Sequence, residues 1–172
     1  GGTTCRENSR NWMLNKDWAF ILGVFVGDGW TRSNGTYEVG FCDNSIVKKH
    51  IDEVCMIMNK YNFNGIEYLS KDKNLIQTIF GSPYLRKLFD ELHPEYEHTS
   101  HSKYVPDCIL NAPVNIVESY LCGYFAADGH EDDGKAKFET VSYKLAEQIR
   151  FLLLRIGLPC SIKKYTRTDL RE

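Results

Sequence analysis

The stretch ILGVFVGDG, Ile21 to Gly29, decides how this sequence is read. It is apolar, carries Gly23 and Gly27 four apart on one helical face, and ends in a lone carboxylate, Asp28, followed by Gly29. A helix built only for core packing would avoid two interior glycines, each of which costs up to about 1 kcal/mol relative to alanine. Their shared face is therefore expected to admit a close neighbour. Gly29 is expected to end the helix in the left-handed conformation.

The neighbour is a second copy of the same stretch. LGVFVGDG (Leu22 to Gly29) returns as LCGYFAADG (Leu121 to Gly129), with Gly23, Phe25, Asp28 and Gly29 matching Gly123, Phe125, Asp128 and Gly129 at a constant offset of 100 residues. The following segments, DNSIVKKHIDEVCMIMNKYNF and VSYKLAEQIRFLLLRIGL, both have helical periodicity, with Asn44 and Ser142 as expected N-caps. At an offset of 98, Val47, Ile51, Val54 and Met58 match Leu145, Ile149, Leu152 and Ile156. The chain reads as two versions of one unit.

Between the two, TYEVGFC, GIEYLS and LIQTIFGS are expected strands, the last two joined by the polar turn KDKN. Ser82 and Pro83 then open a helix, PYLRKLFDEL, with Leu85, Leu88, Phe89 and Leu92 on one face. The first half spans 1–97 with a polar leader 1–13, a linker 98–112 follows, and the second half spans 113–172. AKFETVS and CSIKKYT are expected strands of that half, whose last strand and helix are missing relative to the first copy.

Composition bounds the function. At 172 residues and 42% hydrophobic side chains, the chain can bury a core as one domain or two fused halves. Its apolar runs fall short of a membrane span and its polar start is unlike a signal peptide, so an intracellular, non-membrane protein is expected. Six cysteines without a CxxC pair read as buried thiols in a reducing compartment. The net charge is −2, yet the stretch from Lys135 to Glu172 holds nine Lys and Arg against four Asp and Glu. Such a tract fits a basic face for nucleic acid or an ordinary solvated surface.

If the two motif helices pack together, Gly23 and Gly27 face Cys122 or Gly123 and Ala127, and Asp28 and Asp128 end side by side. Taken singly, each Asp-Gly is an ordinary turn signal. Kept in both copies, the paired acids at negative helix ends repel unless a cation lies between them, and a divalent metal is the natural remedy. Metal held over a phosphodiester would polarise it and activate water.

These residues resemble the two namesake motifs of the LAGLIDADG homing endonucleases, in a two-motif single-chain member. The segment KYVPDCILNAPVNIVESYLCGYFAADGH is similar to the endonuclease domains of inteins, through KYVP and NAP ahead of the second motif. The resemblance runs from about Leu14 to Tyr165. It implies an α+β fold, a pseudo-two-fold pair of αββαββα halves with saddle-shaped antiparallel sheets, the second half incomplete at its C-terminus. It implies a monomer that binds a long, specific site in double-stranded DNA and cleaves it with Mg²⁺, roughly two or three ions shared between the acids. Carried over by position, Asp28 and Asp128 become catalytic metal ligands, the Gly27 and Ala127 carbonyls add ligands, and Lys103 serves the phosphate or the water. Strand side chains contact DNA, with Arg32, Lys71 and Lys73 expected in the first half and Lys163, Lys164 and Arg167 in the second.

The family's second basic active-site position falls in the missing part of the second copy, and no splicing signature surrounds Cys5 or the terminus. The rival reading is the same fold kept as a cleavage-inactive nucleic-acid-binding module, for splicing assistance or transcriptional control. An unrelated α+β interaction domain is a third. His98 and His101 read as surface histidines, HEDDG (residues 130–134) as a solvated acidic turn, and Trp12, Trp18 and Trp30 as packing around the first motif helix.

Overall fold

The computed structural model describes residues 12–32, 36–48, 50–70, 74–93 and 99–165. Helix α1 (Lys16–Asp28) starts where the Asn15 side chain accepts the Trp18 amide at 3.1 Å. It passes directly into β1 (Gly29–Arg32), which pairs with β2 (Glu38–Asn44). Then come α2 (Ile51–Lys60), β3 (Ile66–Ser70), β4 (Leu75–Gly81) and α3 (Pro83–Leu92), an αββαββα unit. Its sheet is antiparallel throughout, in the order β1-β2-β4-β3. Alternation sends Val39 and Phe41 of β2 and Ile76, Thr78 and Phe80 of β4 inward. There Phe41 and Phe80 meet Phe25 of α1 and Phe89 of α3 in one aromatic core.

The second half repeats the beginning of this unit: α5 (Val114–Asp128), β5 (Gly129–Asp132), β6 (Lys135–Phe138) and α6 (Tyr143–Arg155), with a two-stranded sheet. Between the halves lie a 3-10 turn, Ser100–Ser102, and the short α4 (Asp107–Leu110). This connection is part of the core. Val105 and Ile109 are fully buried, the Val105 amide donates to Gln148 of α6 at 2.8 Å, and Arg155 holds the Leu110 and Ala112 carbonyls at 2.7 Å each.

Helices α1 and α5 pack face to face, and small residues permit it. A Cβ on Gly23 would strike the Tyr120 carbonyl, one on Gly123 the Phe20 carbonyl, and one on Gly27 the Ala127 side chain. Ser119 Oγ donates to the Lys16 carbonyl at 2.7 Å at the other end of the pair. The serine caps also form, Ser82 accepting the Leu85 amide at 3.3 Å and Ser142 the Leu145 amide at 3.2 Å. Among the described residues no helix is long and apolar enough to cross a membrane.

Several expectations are corrected. Gly29 and Gly129 are not left-handed: their φ/ψ of −87°/156° and −84°/153° are extended, because each begins a strand. Glycine is needed there because a Cβ would strike Phe25 or Phe125. Asn44 does not cap α2, which begins seven positions later; its side chain accepts the Ile46 and Val47 amides and closes a turn. Val47 lies in that turn, 62% exposed, so only Ile51, Val54 and Met58 keep the expected register, with Leu145 buried on its own. The acidic segment 130–134 is exposed from Glu131 to Gly134, but its first three residues belong to strand β5 and only Asp133 and Gly134 form the turn, with φ of 53° and 66°, the geometry a twisted hairpin requires. Cys160 to Tyr165 form no strand and are exposed. The cysteines are not a buried set: Cys42, Cys55 and Cys108 are half-buried, Cys122 and Cys160 exposed, and all five carry free thiols.

Candidate metal and nucleic-acid site

The helix pair brings Asp28 and Asp128 to one end, each as the last residue of its helix and each facing the carbonyl-rich pole of the helix dipole. Their side chains are 35% and 27% exposed. Burial, and then the charge of Asp128, pushes the Asp28 carboxyl up to about 6, against the opposing pull of His50 and Lys103. Burial raises Asp128 as well, again opposed by Lys103 and His50. Two crowded, half-buried acids at negative helix ends favour a cation between them.

Lys103 supplies one cation. Its side chain, 15% exposed, donates from Nζ to the Gly27 carbonyl of α1 and lies 3.8 Å from Asp128 Oδ2 of α5. Its backbone is fixed by the second half, where the Ser142 hydroxyl donates to the Lys103 carbonyl at 2.6 Å. Tyr104, the next residue, is buried under the Lys144 ammonium, 4.4 Å from its ring centroid.

His50 and Asp43 were not singled out by sequence reasoning. Asp43, at the inner end of β2, accepts the His50 and Ile51 amides at 2.9 and 3.1 Å and so caps α2 from outside the helix. The His50 ring, buried between the halves, has Nε2 3.0 Å from the Cys42 carbonyl and 3.8 Å from Asp28 Oδ2. Its Nδ1 lies 3.3 Å from the Ala126 carbonyl of α5 and 3.5 Å from Asp43 Oδ2. No motif marks this pair; the one available signal was a carboxylate and a histidine flanking the break before an amphipathic helix.

Asp28, Asp128, Gly27 and Ala127, the residues expected to ligate a metal, lie together at this helix end, with the Gly27 carbonyl engaged by Lys103. Among the described residues no group of three or more His, Cys, Asp and Glu side chains is arranged to hold a metal. Two carboxylates without a cage suit a hard divalent cation that keeps several of its waters. The expected DNA contacts are more scattered. Arg32 ends β1 on the outward sheet face, 3.6 Å from Glu38 and with its guanidinium 4.9 Å from the Trp30 ring centroid. Lys163 and Lys164 are exposed but lie on no strand. Lys71, Lys73 and Arg167 lie outside the described residues.

Residues 115–171 match the family model of the LAGLIDADG-like domain. The chain is similar to a segment of the ATP-dependent DNA helicase Hel308 of Methanocaldococcus jannaschii, 30% identical over 159 residues that make up 87% of this chain and 12% of the helicase. It spans less than a fifth of the length of the first curated relatives it matches. Further similar segments fall within an aminotransferase, a translation initiation factor and DNA polymerases. Among solved structures, the homing endonuclease I-DmoI in complex with DNA and Mn superposes with a TM-score of 0.63 at 15% identity, covering 88% of this chain and 83% of that one. Full-length DUF199/WhiA from Thermatoga maritima gives 0.59 at 12% identity, covering 86% and 46%.

Proposed function

From a chain with the LAGLIDADG two-motif, single-chain fold, we propose a site-specific endonuclease that cleaves double-stranded DNA with a divalent metal. The observation that carries the reading is the convergence of Asp28 and Asp128, from two duplicated helix ends, beside Lys103. When bound, the metal supplies Lewis acidity toward a phosphoryl oxygen and an acidified water. The two carboxylates would hold it, with the Gly27 and Ala127 carbonyls as further oxygen donors. Lys103 moves from the Gly27 carbonyl to the incoming phosphate and offsets its charge. His50 keeps the end of α5 and the rim of β2 in register around Asp28.

The similar segments sit inside proteins of unrelated function, which supports a mobile insert and, with KYVP and NAP, an intein setting. The neighbours solved with DNA, Mn and Ca support duplex binding and divalent metal use. The likeness to WhiA, which shares the fold, keeps a second reading in play, a non-cleaving binding module. The two separate in one experiment: the purified chain incubated with a plasmid library and Mg²⁺, Mn²⁺ or EDTA, with cut ends sequenced. Cleavage at one recurrent site that EDTA abolishes is expected. Salt-sensitive binding without any cleavage would assign the binding module instead.

A further inference from the structure

The outward faces of the two sheets offer a duplex different chemistry. On the first sheet the register places Trp30, Gly40, Ile79 and Ile66 in one row across all four strands, with Cys42, Gln77 and Tyr68 in the next. These positions alternate with the core-facing ones, so they share the face turned away from the core. Ile66 and Tyr68 are 62% and 53% exposed. Within the four strands the single cation is Arg32, at the far corner, already paired with Glu38. The matching positions of the second sheet hold His130 opposite Lys137 and Asp132 opposite Lys135.

Strands that carry a single, already paired cation gain little from phosphates, so what the strand face itself contributes must come from base edges. In the major groove the base edge that offers apolar surface is the thymine C5-methyl group. We infer that the half-site beneath the first sheet is read through thymine methyls, by Ile66 and Ile79 with Tyr68 beside them, and is A·T-rich where the half-site beneath the second sheet is not. This rests on the DNA-binding reading above and names the sequence class that one half of the protein selects.

The test uses the whole chain, first to select binders from a pool of randomised duplexes in Ca²⁺. One half-site should be A·T-enriched. In a selected duplex, thymines of that half-site are then replaced one at a time by deoxyuridine, which removes the methyl and keeps the pairing. Each contacted position should lose about fourfold in affinity, the factor one buried methyl is worth. Ile66→Ser, on an exposed edge strand, should remove the sensitivity at one position and leave the others, with unchanged circular dichroism. Lys135→Ala should leave every deoxyuridine effect in place. Binding with no A·T-enriched half-site, no deoxyuridine effect, or an effect moved by Lys135→Ala and not by Ile66→Ser overturns this inference alone. Failure to bind any duplex overturns it together with the DNA-binding reading.

Discussion

Asp28 and Asp128 sit on nearly identical backbone in unlike company. Both close a motif helix, both are followed by an extended glycine held against a phenylalanine, and the two glycines differ by only a few degrees in φ and ψ. Yet the ring of His50 stands beside Asp28, and the ammonium of Lys103 stands beside Asp128. The duplicated part is what close packing dictates. The neighbours come from connections that differ in length and sequence, so the charge around each acid has diverged while the scaffold has not.

The largest expected effect tests whether the acids are equivalent. Asp28→Asn and Asp128→Asn should each reduce double-strand cleavage by roughly two to three orders of magnitude, with duplex affinity equal or higher because a charge repelling phosphate is gone. Full cutting by either variant would remove that acid from the chemistry and break the symmetry of roles. Next in size is the interface. Gly27→Leu would drive a side chain into Ala127 and should cost roughly 1–3 kcal/mol, or more, in urea unfolding. Gly81→Ala, with open space around the new methyl, should be near neutral. Equal costs for the two would mean that the helix faces do not meet as described.

A smaller effect reads the burial of Asp28 through pH. A carboxyl raised in the folded chain binds its proton more tightly there than in the unfolded chain, so its ionisation opposes folding. For Asp28 the penalty is absent below the ordinary carboxylate range and grows as pH rises to about 6. Metal-free chain should therefore lose about 1–2 kcal/mol between pH 4 and 6.5, after allowance for solvent around this part-exposed group. Asp28→Asn should flatten that fall in thermal melts, and a slope unchanged by the substitution would place its origin elsewhere. Smallest is the response to salt. Removing Lys163 or Lys164 should lower the slope of log affinity against log salt by about one if each touches a phosphate. Arg32→Ala should lower it less, since Arg32 is tied to Glu38.

The sequence made the scaffold legible because its signals are local or repeated: small residues on one helix face, an Asp-Gly at each end, serine caps at Ser82 and Ser142. It hid what depends on chain far away. Asp43 caps α2 across a turn, and His50 owes its place to the Cys42 and Ala126 carbonyls, one in each half. The four-residue strands β1 and β5 are too short to show a period of two. Lys103 was found through a family pattern, and nothing in its own neighbourhood predicts that it bridges the two helices.

The contact between α1 and α5 joins residues as much as 103 positions apart, as Ser119 and Lys16 show. The first half contains every strand and helix of its own sheet and can reach that arrangement through nearer contacts. The paired acids cannot meet until the chain beyond Asp128 has emerged and folded back. Closing so long a loop is entropically slow. During synthesis, then, the protein passes through an interval in which half of it is built and the paired acids have not met, so nascent and prematurely ended chains lack the juxtaposition of Asp28 and Asp128.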